Sequence, residues 1–225
     1  MPEMVAENLE VAYGAGASRT PALRGVSTTL KPGTFTLVMG PSGSGKTSLL
    51  TILGALAPPD GGRVLVDGTD ITAMSERART EFRRKKIGFI FQSFRLMTGL
   101  TAEENVRMSL SMRGFSDDAR LAREALDAVG LSQKRRLKSN ELSGGEKQRV
   151  AIARALAHKP PIIFADEPTA SLDSVNGARV SELLSNALSE KDRLLLVVTH
   201  DDRLLKAANR VIRIEDGRII EDILR

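Results

Sequence analysis

Cysteine is absent from all 225 residues. No disulfide and no thiolate metal site is therefore available, and the composition fits a reducing compartment. Long apolar runs are absent too. The longest unbroken aliphatic stretch is Leu194 to Val198, far short of the ~20 apolar residues that span a bilayer. The opening residues, MPEMVAENLE, carry acids and lack the hydrophobic region of a secretory signal. Any membrane role is therefore expected to run through a partner. No long Lys/Arg tract accompanies the net charge of +5. The basic residues lie on ordinary helix faces such as Ser75 to Lys86, so direct binding to nucleic acid is not expected. Solenoid repeats and low-complexity linkers are missing as well.

What is present reads as one folded domain. Apolar residues make up 41% and charged residues 27%, enough for a sizeable core in a chain of this length. Short β-like runs open the chain: Met4 to Ala12, Ala22 to Leu30 and Thr34 to Met39. A helix is expected from Lys46 through Leu53 to Leu56, then a strand from Arg63 to Val66 and another from Ile87 to Phe91. Helices follow. Thr101 with Glu104 predicts a capping box, Ser116 the cap of a second helix ending at Gly130, and Ser143 the start of a third. Strands and helices then alternate: Ile162 to Ala165, Val175 to Leu188, Leu194 to Val198, and a helix over Asp201 to Asn209. A last pair, Val211 to Ile214 and Arg218 to Ile220, turns at Asp216-Gly217. This order predicts an α/β core on a mostly parallel sheet, interrupted by a helical block between about Gln92 and Lys159.

Three motifs carry chemistry. Gly40-Pro41-Ser42-Gly43-Ser44-Gly45-Lys46-Thr47 follows a strand and opens a helix, the context in which glycines expose backbone N–H groups to phosphate. Lys46 is placed to reach β- and γ-phosphates, and the Thr47 hydroxyl to ligate Mg²⁺. Asp166-Glu167 closes a buried strand at its carboxyl end, where α/β sheets bind ligands. Alternation along an extended segment is expected to turn Asp166 to a metal and Glu167 to an attacking water. Ser143-Gly144-Gly145-Glu146 predicts a capping box whose two glycines exceed what a cap needs, hence a second anion site. Two phosphate-binding helix ends in one chain suggest two nucleotides shared between two chains. His158, before Lys159-Pro160, reads as a favourable cation at a helix end.

With these motifs in order, the chain strongly resembles the nucleotide-binding domains of ABC transporters over Met4 to Ile220. The resemblance implies a P-loop NTPase core with an N-terminal antiparallel β subdomain and an inserted helical subdomain. The core is expected over about 1–91 and 160–225, and the helical part over about 92–159. It implies that Tyr13 stacks on adenine and that Gly40 to Ser48 forms the Walker A loop. Gln92 is implied as the Q-loop glutamine that contacts Mg²⁺ and a membrane partner. Ser143, Gly144 and Gly145 are implied as the signature motif, and Asp166 and Glu167 as the end of Walker B. Ser171-Leu172-Asp173 is implied as the D-loop and His200 as the switch histidine. Lys46, Gln92, Glu167 and His200 are thus the expected catalytic set, and Thr47, Gln92 and Asp166 the metal set. ATP and Mg²⁺ are the implied ligands.

Within the family, Ile87 to Phe94 and Leu100 to Val106 resemble the lipoprotein-releasing, macrolide-exporting and cell-division ATPases. Ala170-Ser171 stands where that branch often has Gly-Asn, and Thr47-Ser48 reverses the usual Ser-Thr order. The implied setting is the cytoplasmic face of the inner membrane, with a second nucleotide-binding subunit and a separate permease as partners. An importer ATPase, or a soluble ABC ATPase acting on nucleic acid or ribosomes, is the alternative. The C-terminal regulatory domain of some importers is not expected, since the chain ends at Arg225.

Overall fold

Short aliphatic runs build the centre of the molecule. The computed structural model describes residues 3–188 and 192–225. Ten strands are found among the described residues: β1 (Met4–Tyr13), β2 (Thr20–Leu30), β3 (Phe35–Met39), β4 (Gly61–Val66), β5 (Thr69–Asp70), β6 (Ile87–Ile90), β7 (Ile162–Asp166), β8 (Leu194–Val198), β9 (Arg210–Glu215) and β10 (Arg218–Leu224). They form two sheets. One is four-stranded and antiparallel, ordered β2-β1-β4-β5. The other is six-stranded, ordered β10-β9-β3-β8-β7-β6, and parallel except for the β9–β10 hairpin.

Both faces of the parallel sheet are buried, and the period of two decides which core each side chain joins. Leu37, Ile163, Ala165, Leu195 and Val197 enter one hydrophobic cluster; Val38, Ile162, Phe164, Leu196 and Val198 enter the other. The first cluster is shared with the helices α3 (Ala102–Ser111), α4 (Asp118–Ala128), α5 (Gly144–Leu156) and α6 (Ser174–Ala187). The second is shared with the antiparallel sheet and α1 (Lys46–Leu53). The helical block is therefore anchored on the sheet by apolar burial, worth about 1.5–3 kcal/mol per fully buried Val, Leu, Ile or Phe side chain.

Several boundaries differ from the sequence expectation for tertiary reasons. Helix α1 stops at Leu53 rather than Leu56, because Gly54 follows it and Phe89 packs there: a Cβ on Gly54 would lie 2.3 Å from that ring. Helix α4 starts at Asp118 without a side-chain cap, so Ser116 does not cap it. The expected helix over Asp201 to Asn209 is only a 3-10 turn, Asp202–Lys206. The capping box of Thr101 and Glu104 forms as expected. A helix not placed among the chemistry-bearing elements, α2 (Glu76–Lys86), starts at the Ser75 cap.

His158 corrects a further expectation. Helix α5 ends at Leu156, and His158 beyond it is enclosed rather than presented to solvent as a cation. Burial, and after it the charge of Arg113, pushes its pKa from 6.5 down to about 4. Between those values the unfolded chain binds a proton that the folded chain refuses. Folding stability therefore rises with pH across this window and is lost on acidification from pH 6.5 toward pH 4. Urea unfolding at pH 7 and pH 5 is expected to show lower stability at pH 5, with a shallower slope in His158→Gln.

Candidate nucleotide-binding site

The loop between β3 and α1 can be built only with glycine. Gly40, Gly43 and Gly45 have φ of +155°, +81° and +104°. A Cβ on Gly40 would lie 2.0 Å from the Ile214 carbonyl oxygen, and one on Gly45 2.3 Å from that of Ala22. Pro41 and Ser42 make the bend, closed by Ser44 N–H donating to the Pro41 carbonyl at 3.2 Å. Lys46 opens α1 and is buried, and its Nζ donates to the carbonyls of Gly40 at 2.9 Å and Pro41 at 2.8 Å. The Ser44 Oγ is buried without a hydrogen-bond partner. A cationic Nζ, an orphaned hydroxyl and a helix N-terminus thus meet at a cradle that side chains cannot enter, a fit for phosphate. Tyr13, 54% exposed at the end of β1, shares a cleft of about 320 Å³ with Gly43, Gly45, Thr47 and Ser48. A flat ring beside a phosphate loop suits a nucleobase.

The carboxylates sit at the end of β7. The Thr47 hydroxyl lies 3.4 Å from Asp166 Oδ1, giving two hard oxygen donors of the kind Mg²⁺ takes alongside phosphate and water. Burial raises the Asp166 pKa and the neighbouring Glu167 charge adds to the rise, while the Thr47 hydrogen bond opposes it. A divalent cation would relieve both effects. Glu167 does not follow the extended alternation expected of it. Its φ is +46°, a left-handed turn that costs a non-glycine residue roughly 1–2 kcal/mol. That turn, held by Glu167 N–H donating to the Val198 carbonyl at 2.8 Å, separates the two carboxylates. Glu167 Oε1 is 2.7 Å from His200 Nδ1, and Oε2 accepts from the Thr199 hydroxyl at 3.0 Å.

Thr199 is a participant that sequence reasoning missed. It is fully buried, and its Oγ1 also accepts from Asp201 N–H at 3.0 Å, so its proton is directed to Glu167. The only sequence signal is a polar residue directly after the buried strand β8. Thr199→Val is expected to lower kcat about tenfold, since a hydrogen bond to a charged group is worth roughly 1.5–3 kcal/mol. The KM for ATP should hold and Thr199→Ser should restore the rate; steady-state kinetics of the three proteins check this.

A separate group forms at the start of α5. Ser143 Oγ accepts from Glu146 N–H at 3.3 Å, and Glu146 Oε2 accepts from Ser143 N–H at 2.9 Å, completing the expected box. Ser143 and Gly144 are exposed and Gly145 is buried. A Cβ on Gly145 would lie 2.5 Å from the Asn176 side chain. Asn176 donates to Asp173 Oδ2 at 2.7 Å and accepts from Arg149 at 3.0 Å. Asp173 caps α6 by accepting from Asn176 N–H at 2.9 Å. Arg203 pairs with Asp201 and donates to the carbonyls of Asp173 and Thr169, each at 3.3 Å. Asn176, Arg149 and Arg203 carry no sequence motif; only their partners reveal them.

The structure thus brings Lys46, Thr47 and Asp166 together, and Glu167 with His200. Ser143, Gly144, Gly145 and Asp173 stand apart from them: among the described residues no hydrogen bond links the start of α5 to the Gly40–Ser48 loop or to Glu167. Gln92 is exposed, and no described hydrogen bond ties it to Thr47 or Asp166. The loop after it is nevertheless shaped: Phe94 and Arg95 have φ of +59° and +47°, and Arg154 of α5 donates to both their carbonyls, at 2.8 and 2.5 Å.

A glycine phosphate cradle at the carboxyl edge of a parallel sheet, with one carboxylate beside its hydroxyl and a second oriented by histidine and threonine, defines a P-loop nucleoside triphosphatase. Residues 23–170 match the ABC transporter family, and the chain belongs to it. It binds and hydrolyses ATP with Mg²⁺. The lipoprotein-releasing system ATP-binding protein LolD 1 of Rhodopseudomonas palustris is 42% identical over 95% of this chain and 96% of its own length. The macrolide export ATP-binding/permease protein MacB of Marinobacter nauticus is 40% identical over 98% of this chain but only 34% of its own length. The ATP-binding cassette MJ0796, solved as a dimer in a post-hydrolysis state with ADP and Pi, is 39% identical and superimposes with a TM-score of 0.92 over 98% of each chain.

Proposed function

We propose that two copies of this chain, or this chain and a close relative, face head to tail and couple ATP-driven closure to a separate membrane permease of the export or mechanotransmission type. The observation that carries the pairing is the separation of the two anion-binding helix ends. Neither end completes a site alone. In the proposed closed pair, ATP on the Gly40–Ser48 loop of one protomer, with adenine against Tyr13, is capped by Ser143, Gly144 and Gly145 of the other. Asp173 lies beside that cap. Thr47 and Asp166 would hold Mg²⁺, with Gln92 joining on closure, and the ion would neutralise phosphate charge.

The residues of the chain divide the remaining work. Glu167 orients the attacking water and takes its proton. His200, engaged to Glu167 through Nδ1, keeps Nε2 for a γ-phosphate oxygen. Lys46 leaves the loop carbonyls for the β- and γ-phosphates. Loss of the γ-phosphate removes the bridge and the pair opens. Shifting such an equilibrium from 1:99 to 99:1 takes about 5.5 kcal/mol; two nucleotides would each supply about half, within reach of two charge-assisted hydrogen bonds apiece.

The names of LolD and MacB support the lipoprotein or macrolide class, and a peptide exporter is a further member of the proposed range. No helix among the described residues is long and apolar enough to cross a membrane, in keeping with a peripheral place on the cytoplasmic face. The segment Gln92 to Met97 would pass closure to the permease. In this reading about 92–159 acts as the helical subdomain, and about 1–91 with 160–225 as the nucleotide-binding core. Purification of the tagged chain from native membranes tests the assignment. An integral membrane protein should accompany it and alter its ATPase rate. Recovery free of membrane protein, with a salt-sensitive affinity for RNA or DNA, would contradict it.

A further inference from the structure

His200 is held by little of its own. Its side chain is 67% exposed, and among the described residues it has one hydrogen bond, from Nδ1 to Glu167 Oε1 at 2.7 Å. The direction of Nε2 therefore depends on the backbone to either side. On one side Thr199 is fully buried, and its N–H donates to the Val38 carbonyl at 3.1 Å. On the other side the chain enters the short 3-10 turn Asp202–Lys206, and Asp201 is fixed by its carboxylate. Asp201 Oδ2 accepts from the Thr169 hydroxyl at 2.5 Å. Arg203 Nε lies 2.8 Å from both carboxylate oxygens of Asp201, and its Nη2 lies 2.7 Å from Oδ2. The Arg203 hydrogen bonds are the leading cause of an Asp201 pKa pulled down to about 2.

The same guanidinium reaches across to a second loop. Nη2 donates to the Thr169 carbonyl and Nη1 to the Asp173 carbonyl, each at 3.3 Å. Both carbonyls belong to the segment that runs from Glu167 to the cap of α6. One planar fork thus ties Asp201 to two points of that segment, a geometry that the point charge of lysine does not reproduce. Room for the fork is built into α6. Gly177 lies in the first turn of that helix, outside the left-handed region. The backbone there does not need glycine, and glycine within a helix is destabilising relative to alanine. A Cβ at this position would lie 2.6 Å from Arg203 Nη1. The glycine makes way for the guanidinium.

Resting on the roles proposed for Glu167 and His200, we propose that Arg203 is a positioning residue for ATP hydrolysis. Glu167 opens the segment that Arg203 grips, and His200 precedes the residue that it clamps. The fork therefore fixes the two reacting side chains relative to each other before ATP is enclosed. Without it, an exposed imidazole on a short loop samples several orientations, and a misplacement of about 1 Å can cost roughly 10²-fold in rate. Affinity for ATP should be spared, because neither Asp201, Arg203 nor Thr169 lines the cleft formed by Tyr13 and the phosphate loop.

Arg203→Met keeps the apolar stem and removes the fork. It is expected to lower kcat about tenfold with the KM for ATP within about twofold, and Arg203→Lys is expected to recover part of the rate. Gly177→Ala leaves the arginine in place and pushes its fork aside. It should lower kcat about threefold while Tm holds or rises by about 2 °C, since alanine favours the helix. Arg203→Met combined with Gly177→Ala should be no slower than Arg203→Met alone, because both changes remove the same contact. The chain has only two histidines, so NMR of their rings can follow His200 and His158 separately without nucleotide. The His200 signal should move toward that of free histidine in Arg203→Met and in Gly177→Ala, and the His158 signal should stay. His200→Ala, assayed beside them, separates this inference from the roles on which it rests. A full rate in His200→Ala removes His200 from catalysis and the Arg203 role with it. A slow His200→Ala beside a full-rate Arg203→Met overturns the Arg203 role alone. A kcat that falls only where Tm falls, with both histidine signals moving, marks a general effect on folding and overturns it as well.

Discussion

Glu167→Gln is expected to lower ATP turnover about 10³-fold, within the 10²–10⁴ range for loss of a general base, while leaving ATP binding intact. The amide is isosteric with the carboxylate. It can still accept from the Thr199 hydroxyl, now at 3.0 Å from Glu167 Oε2, so the left-handed turn and the approach of His200 should persist. What is lost is the basicity that takes the proton of the attacking water. With the γ-phosphate retained, the closed pair has no route to opening. The variant should therefore elute as a dimer in ATP and as a monomer in ADP or without nucleotide, whereas the unaltered chain should show the dimer only transiently. Size-exclusion chromatography beside a phosphate-release assay measures both halves. Normal turnover would remove Glu167 from the role.

Lys46→Ala is expected to weaken ATP binding about 100-fold or more. Its Nζ donates two hydrogen bonds to loop carbonyls, at 2.9 and 2.8 Å, and the proposed transfer of these to phosphate oxygens makes them charge-assisted. At roughly 1.5–3 kcal/mol each, two such bonds account for a loss of this size. Unlike Glu167→Gln, this variant should form no ATP-dependent dimer, because the nucleotide that bridges the protomers is itself not held. Equilibrium titration with a fluorescent ATP analogue measures the affinity, and thermal unfolding without nucleotide checks that the loop survives.

Most of the core was legible because its periodicities are local. The runs of β3, β7 and β8 read as strands buried on both faces, and the two clusters of their alternate residues bear that out. The cap boxes of Thr101 and Ser143 were equally plain, since cap and partner lie three residues apart. What escaped depends on contacts between residues distant in the chain. Thr199 looks like any strand-end threonine until Glu167, 32 residues earlier, is placed on it. Asn176 carries no signal until Gly145 leaves room for its amide. His158 was misread because its burial comes from packing beyond its own helix. The separation of Asp166 from Glu167 was expected, but from strand alternation; a strained backbone turn provides it. Gly40 to Ser48, Asp166 and Glu167 were legible as local motifs, while Gln92 is not drawn to the metal donors within one chain.

Sharing of each ATP between two protomers can be measured directly with mixed dimers in the Glu167→Gln background. In one mixture a Lys46→Ala chain meets a Gly145→Asp chain; in the other a chain with both changes meets one with neither. If the cradle of one protomer works with the Ser143–Gly145 tip of its neighbour, the first pairing keeps one whole site and should trap one ATP per dimer, and the second should trap none. The opposite pattern, none trapped in the first and one in the second, would mean that each chain completes its own site.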